Sequence, residues 1–196
     1  MLCYTFGINR EGEKKMKKMN KKGFTLVELL AVIVILALIM AIAVVSMSGI
    51  MEGARRSTFK ETGVQIINGV QQQLTLANEL LPSNTKFTTG VQYFVEKKML
   101  EKGGDSAPLG GTYQFISSPG DGYTQIGVAG LWRYDGTTAI ACSATANTFV
   151  TVKYENGNFK YSICLPTGAG TARIHDGKLE DLLDSSKNDM IKQASE

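Results

Sequence analysis

The sequence has 196 residues, a formal net charge of +3 and 43% hydrophobic residues, which fits one folded domain with an appendage. Residues 1–22 carry seven Lys or Arg and two Glu, whereas the rest carries 14 basic and 16 acidic residues, so no chain-wide basic surface for nucleic acid is predicted. The single histidine, His175, excludes a His-rich metal site and most catalytic triads within one chain.

The apolar residues concentrate between Leu29 and Val45, where 17 consecutive residues carry no polar side chain. As a helix this run covers about 25 Å, and the apolar residues before it extend it to a membrane span. Lysines precede the run, so the positive-inside rule predicts a cytoplasmic N-terminus and an external remainder. A cleaved secretory signal is the alternative, but no typical small-residue cleavage site follows the run.

Glu28 lies at the start of this apolar segment. A carboxylate at membrane depth costs several kcal/mol unless it is paired, so Glu28 is a candidate functional residue. No Lys, Arg or His follows within the segment, and we therefore expect its partner to come from another chain. The alternative is an interfacial side chain that reaches the lipid headgroups.

The segment KKGFTLVELL, residues 21–30, resembles the class III signal of type IV pilins and related pseudopilins. The resemblance implies cleavage between Gly23 and Phe24 by a prepilin peptidase, followed by methylation of the Phe24 amine. It also implies that Glu28 meets the Phe24 amine of a neighbouring subunit in the filament. The expected partners are therefore other pilin subunits, the peptidase and the pilus assembly machinery in the membrane.

The same resemblance implies a division of the chain into four parts. We expect a leader at 1–23, a transmembrane and filament-core helix at 24–48, an amphipathic half of the same helix at 49–81, and a globular head at 82–196. The leader is long for this family, and translation from Met16 would give a shorter one. The expected location is the cytoplasmic membrane as a single-pass protein, and the cell surface after assembly.

After the apolar run, the helix continues as an amphipathic one. Apolar residues recur every three or four positions from Ile66 to Leu81, and Pro82 ends the pattern. A second helix is predicted at Val91–Lys102, before Gly103 and Gly104.

Beyond Asp105 the pattern predicts strands at Thr112–Ser117, Tyr123–Tyr134 and Thr148–Leu165. Asn156-Gly157 predicts a type I′ hairpin turn within the last of these. Leucines near the C-terminus, from Leu179 to Leu183, predict one short helix. The predicted fold class is α+β, with a long N-terminal helix, transmembrane and then amphipathic, packed on an antiparallel sheet head.

Cys142 and Cys164 are the two cysteines that follow the leader. Cys164 ends the predicted hairpin and Cys142 precedes it, so a bridge would tie a loop to the sheet. Two buried thiols are the alternative, but the heads of type IV pilins often carry such a C-terminal bridge, and the resemblance therefore favours a disulfide.

No catalytic constellation, cofactor motif or metal-ligand spacing is found, so we predict no catalytic residues, no cofactor and no metal. The sequence predicts a structural subunit of a type IV pilus, which would serve adhesion, motility or DNA uptake. A pseudopilin of a type II secretion or competence system is the alternative. A membrane-tethered enzyme is a third possibility, but it leaves Gly23, Phe24 and Glu28 unexplained.

Overall fold

The computed structural model describes residues 25–80, 86–100, 106–127, 130–168 and 172–192. The chain divides into two compact units, Met1–Val45 and Ser46–Glu196. Its elements are, in order, α1 (Leu26–Leu76), α2 (Lys86–Thr89), β1 (Val91–Val95), a 3-10 turn (Lys97–Met99), β2 (Tyr123–Ile126), β3 (Leu131–Tyr134), β4 (Phe149–Glu155), β5 (Asn158–Pro166), β6 (Arg173–Lys178), α3 (Leu179–Leu183) and β7 (Ile191–Lys192).

The strands form one seven-stranded antiparallel sheet in the order β2-β3-β1-β4-β5-β6-β7. The amphipathic half of α1 packs on one face of this sheet, because α1 and sheet side chains share one buried cluster. The α+β architecture predicted from the sequence is therefore confirmed. The core residues that α1 contributes, each at most 1% exposed, are Phe59, Ile66, Ile67, Val70 and Leu74.

The helix α1 ends at Leu76 rather than at the predicted Leu81. Asn78 adopts a positive φ of 52°, and the Glu79 N–H donates to the Leu74 carbonyl at 3.0 Å. The Asn78 N–H donates to the Thr75 carbonyl at 3.1 Å, which completes a Schellman-type helix end. The apolar pattern continues beyond Leu76, but the asparagine ends the helix before Pro82.

The predicted helix at Val91–Lys102 is wrong. Val91–Val95 is instead the strand β1, and all five of its residues are buried between β3 and β4. β-Branched and aromatic side chains suit a strand that is covered on both faces, and this packing overrides the helical propensity of the lysines that follow. Only the short 3-10 turn at Lys97–Met99 has helical geometry among the described residues of the predicted range.

The predicted strand at Thr112–Ser117 does not form a regular ladder. The Gln114 N–H donates to the Pro166 carbonyl of β5, and the Ile116 N–H donates to the Val95 carbonyl of β1, so the segment bridges two different strands. The predicted strand at Tyr123–Tyr134 is a hairpin of β2 and β3.

The hairpin predicted within Thr148–Leu165 is confirmed as β4 and β5. Asn156 and Gly157 have φ values of 51° and 83°, as a type I′ turn requires. The short C-terminal helix is confirmed as α3. The sequence analysis missed β6 and β7, which extend the sheet beyond β5.

Lys60 joins α1 to the segment that follows α3. Its side chain lies at the edge of the core, and only 3% of the residue is exposed. The ammonium donates to the Asp184 carbonyl at 2.8 Å and also to the Lys187 carbonyl. Burial lowers the pKa of Lys60, while nearby carboxylates, Asp184 foremost, oppose that shift.

The sheet face opposite α1 carries a smaller buried cluster under the loop that precedes β4. Cys142 in this loop forms a disulfide with Cys164 of β5, with Cα atoms 5.6 Å apart. The buried Gln92 side chain holds the same loop, because it donates to the Ile140 carbonyl and accepts from the Ile140 N–H, both at 2.7 Å. The oxidation state in the native protein stays a prediction.

Candidate assembly site

The N-terminal part of α1 presents apolar side chains on all sides. Every large apolar residue whose side chain is described between Leu26 and Met51 is at least 50% exposed. Within the described residues, α1 is long and apolar enough to cross a membrane. An unbroken apolar surface of this kind is suited to lipid or to the helices of other subunits rather than to water.

Thr25 and Glu28 form a capping box at the start of α1. The Thr25 N–H and hydroxyl both donate to Oε2 of Glu28, at 2.8 and 2.9 Å. In return, the Glu28 N–H donates to the Thr25 hydroxyl oxygen at 3.3 Å. The pair satisfies backbone donors that the first helical turn leaves open, and it fixes the orientation of the carboxylate.

This geometry adds a local partner that the sequence reasoning about Glu28 did not consider. Thr25 lies three residues away and hydrogen-bonds the carboxylate, while the expected charged partner from another chain stays a prediction. The T-x-x-E pattern of residues 25–28 is the signal that would have identified Thr25.

Glu28 also has a carboxylate oxygen that Thr25 does not hold. Among the described residues, none forms an ion pair with Glu28, and none donates a hydrogen bond to its Oε1. The site thus offers one carboxylate oxygen that is held by Thr25 and one that is available to a donor. Gly23 and Phe24, which the sequence analysis placed at the cleavage and methylation site, lie outside the described residues.

Other candidate chemistry is sparse. His175 Nδ1 lies 3.4 Å from an oxygen of Asp176, and both side chains are more than 40% exposed. Within the described ranges, no three His, Cys, Asp or Glu side chains are grouped as a metal site.

A scan against protein families matches residues 18–44 to the prokaryotic N-terminal methylation motif. This motif is the class III signal of type IV pilins and pseudopilins. Gly23, Phe24 and Glu28 all lie within the matched residues. Searches of curated proteins and of solved structures find no match to this chain.

Proposed function

We propose that this chain, which carries the processing signal of type IV pilins and pseudopilins, is a structural subunit of a type IV pilus. The observation that carries the proposal is that the matched motif, residues 18–44, overlaps the exposed apolar half of α1 from Leu26 onward. A prepilin peptidase would cut between Gly23 and Phe24 and leave the apolar helix on the mature subunit. The same helix then serves first as a membrane anchor and later as the filament core.

Glu28 gives this proposal a physical mechanism of assembly. Removal of the leader creates a positively charged amine at Phe24, and the available Oε1 of Glu28 is a suitable acceptor for the amine of a neighbouring subunit. Inside an apolar core, a charge left without its partner costs about 3–5 kcal/mol. A subunit with its amine unpaired would therefore join the filament poorly.

Two variants separate this charge pairing from the capping role of Glu28. Glu28→Gln keeps a side-chain oxygen that can accept from Thr25, because glutamine also completes a capping box, but it removes the charge. Glu28→Val removes both. We expect both variants to insert into the membrane and to yield few or no filaments.

Glu52→Val is the matched control, because Glu52 also lies on α1 and pairs with Arg56 four residues later at the exposed surface. We expect this variant to assemble normally. Membrane-fraction and sheared-filament levels of the three variants are compared by immunoblot. Normal filaments from Glu28→Gln would contradict the charge-pairing mechanism and leave only the cap.

The filament itself is tested by electron microscopy of sheared surface material with mass spectrometry of its subunits. Abundant filaments built of this chain support the pilus proposal. A chain that stays in the membrane fraction and is required for secretion or DNA uptake favours a pseudopilin instead. The head of roughly 115 residues, large for the smallest competence pseudopilins, favours the pilus. We propose no enzymatic activity, since polymerisation accounts for the motif and for Glu28.

A further inference from the structure

Three lysines lie close together on the sheet face that points away from α1. Lys153 of β4 and Lys160 of β5 are directly opposite each other in the ladder, and Lys178 of β6 is opposite Ser162. Side chains alternate along a strand, so these residues lie on the face opposite Val152, which belongs to the core shared with α1. Together they border a concavity of about 490 Å³.

Lys153 and Lys160 place like charges opposite each other across two strands. Like charges that face each other across two strands destabilise a sheet. The stem of Lys153 lies over Gly90, toward β1, whereas the Lys160 ammonium is 3.5 Å from Glu180, toward α3. The two side chains thus lean to opposite sides and leave a space between them.

The charges around this space are incompletely matched. The pair between Lys160 and Glu180 is more than half exposed on both sides and contributes little. Lys153 and Lys178 form no ion pair within the part of the chain that the structure describes, and neither does Glu155, which also borders the concavity. The concavity is therefore bordered by three ammonium groups and two carboxylates, a formal net charge of +1.

Two hydroxyl groups complete the site. Thr151 and Ser162 are opposite each other on the same face, one row along from Lys153 and Lys160, and both line the concavity. Neither hydroxyl forms a hydrogen bond within the described ranges. A cluster of ammonium and hydroxyl donors around a concavity is suited to a tetrahedral oxyanion, and lysine is a common ligand of phosphate.

We propose that this lysine cradle, formed by Thr151, Lys153, Lys160, Ser162 and Lys178, binds a dianionic phosphate group. A bound phosphate would place negative charge between Lys153, Lys160 and Lys178, which outnumber Glu155 and Glu180 at this concavity, and would relieve the repulsion across the strands. The bound group is either inorganic phosphate or a phosphate monoester, since both present the same oxygen atoms. The inference does not depend on the pilus proposal, because the site lies within the head and is tested on unassembled protein.

The test is a titration of the full-length chain with phosphate compounds in uncharged detergent. Binding is measured from the amide chemical shifts of the cradle residues, at constant ionic strength. The probes are inorganic phosphate, glycerol phosphate and the monoanion dimethyl phosphate. We expect saturable shifts at the cradle with the first two probes and much weaker ones with dimethyl phosphate. Tighter binding of glycerol phosphate than of inorganic phosphate assigns the site to esters, and equal binding assigns it to the free ion.

The double variant Lys153→Gln/Lys178→Gln should weaken phosphate binding about tenfold, the combined effect of two exposed charge contacts. Its control is Arg55→Gln/Lys98→Gln, which removes the same charge elsewhere and should change the affinity less than twofold. Thermal unfolding verifies that both variants are folded. Unchanged affinity in the cradle variant, or dimethyl phosphate binding as tightly as phosphate, would overturn the proposal.

Discussion

Lys60 is the residue whose replacement tests the structure of the head most directly. It is the one lysine of α1, and its ammonium bonds to two carbonyl groups of the segment that follows α3. Lys60→Met keeps most of the aliphatic stem and its packing, but it removes the charge and both hydrogen bonds. The variant thus isolates the contribution of the ammonium group.

The expected loss of stability in Lys60→Met follows from these contacts. A hydrogen bond from a charged donor contributes about 1.5–3 kcal/mol, and two such bonds are lost. The desolvation of Lys60, which is 3% exposed, is relieved at the same time and offsets part of that loss. We expect the free energy of unfolding to fall by about 2–4 kcal/mol, which lowers the Tm of a head of this size by about 5–15 °C.

The assay is thermal unfolding of the full-length chain in detergent, monitored by fluorescence of the single tryptophan. This residue, Trp132, lies in β3 and donates to Glu96 at 2.5 Å, so its emission reports the integrity of the sheet. Arg55→Met is the matched control, because Arg55 is an exposed cation on the same helix. It should shift the Tm by no more than about 1 °C, as expected for a surface site.

Hydrogen exchange adds a local measurement. The amides of Lys187 and Ile191 bond within the segment that Lys60 holds, to the Asp184 and Asn188 carbonyls. In Lys60→Met we expect these amides to lose protection before those of β4. A variant as stable as Arg55→Met, with unchanged exchange in this segment, would refute the reasoning.

Three further predictions concern processing, the disulfide and an unpartnered hydroxyl. Intact-mass analysis should find a mature chain that begins at N-methylated Phe24, and Gly23→Val should block this processing; a surface chain that retains the leader would contradict the motif. Thiol alkylation without reductant should leave Cys142 and Cys164 unmodified, and reduction should lower the free energy of unfolding by about 3 kcal/mol; labelling of the folded, unreduced protein would refute the bridge. Tyr93→Phe should stabilise the head by about 1 kcal/mol in denaturant titrations at neutral pH, because the buried Tyr93 hydroxyl has no partner among the described residues. Burial raises the pKa of Tyr93 well above its ordinary value, so above a pH of about 10 this side chain ionises only in the unfolded chain and the free energy of unfolding falls. The free energy of unfolding of Tyr93→Phe should fall less over the same pH range. An equal fall in both proteins would exclude Tyr93 as the cause of the pH dependence.

The sequence predicted the parts of the fold that local patterns determine. The apolar run after Glu28 and the turn at Asn156-Gly157 need no distant partner, and both were identified. The helix end at Asn78 was missed because the apolar periodicity continues past it. The nature of β1 was missed because its two neighbours in the sheet come from much later in the chain.

Of the two candidate sites, one could be predicted from the local sequence and the other could not. Glu28 is visible in the sequence because a charge within an apolar run stands out, and the T-x-x-E pattern that predicts its hydrogen bonds to Thr25 was present but was not used. The lysine cradle was not visible. Lys153, Lys160 and Lys178 are separated in a sequence whose net charge after the leader is slightly negative, and only the ladder of β4, β5 and β6 places them side by side.

The strand order has a consequence for how the chain folds during its synthesis. β1 occupies an interior position, and Tyr93 pairs with Arg133 on one side and with Val150 on the other. Both neighbours reach the outside of the cell after β1 if the chain is exported from its N-terminus. Until they arrive, the apolar stripe of α1 around Ile67 has no sheet to cover it, so slow closure of these long-range pairs exposes the nascent chain to aggregation. If the apolar half of α1 is anchored in a membrane, it keeps such a chain at the membrane surface during this interval and so limits its diffusion to other unfolded chains.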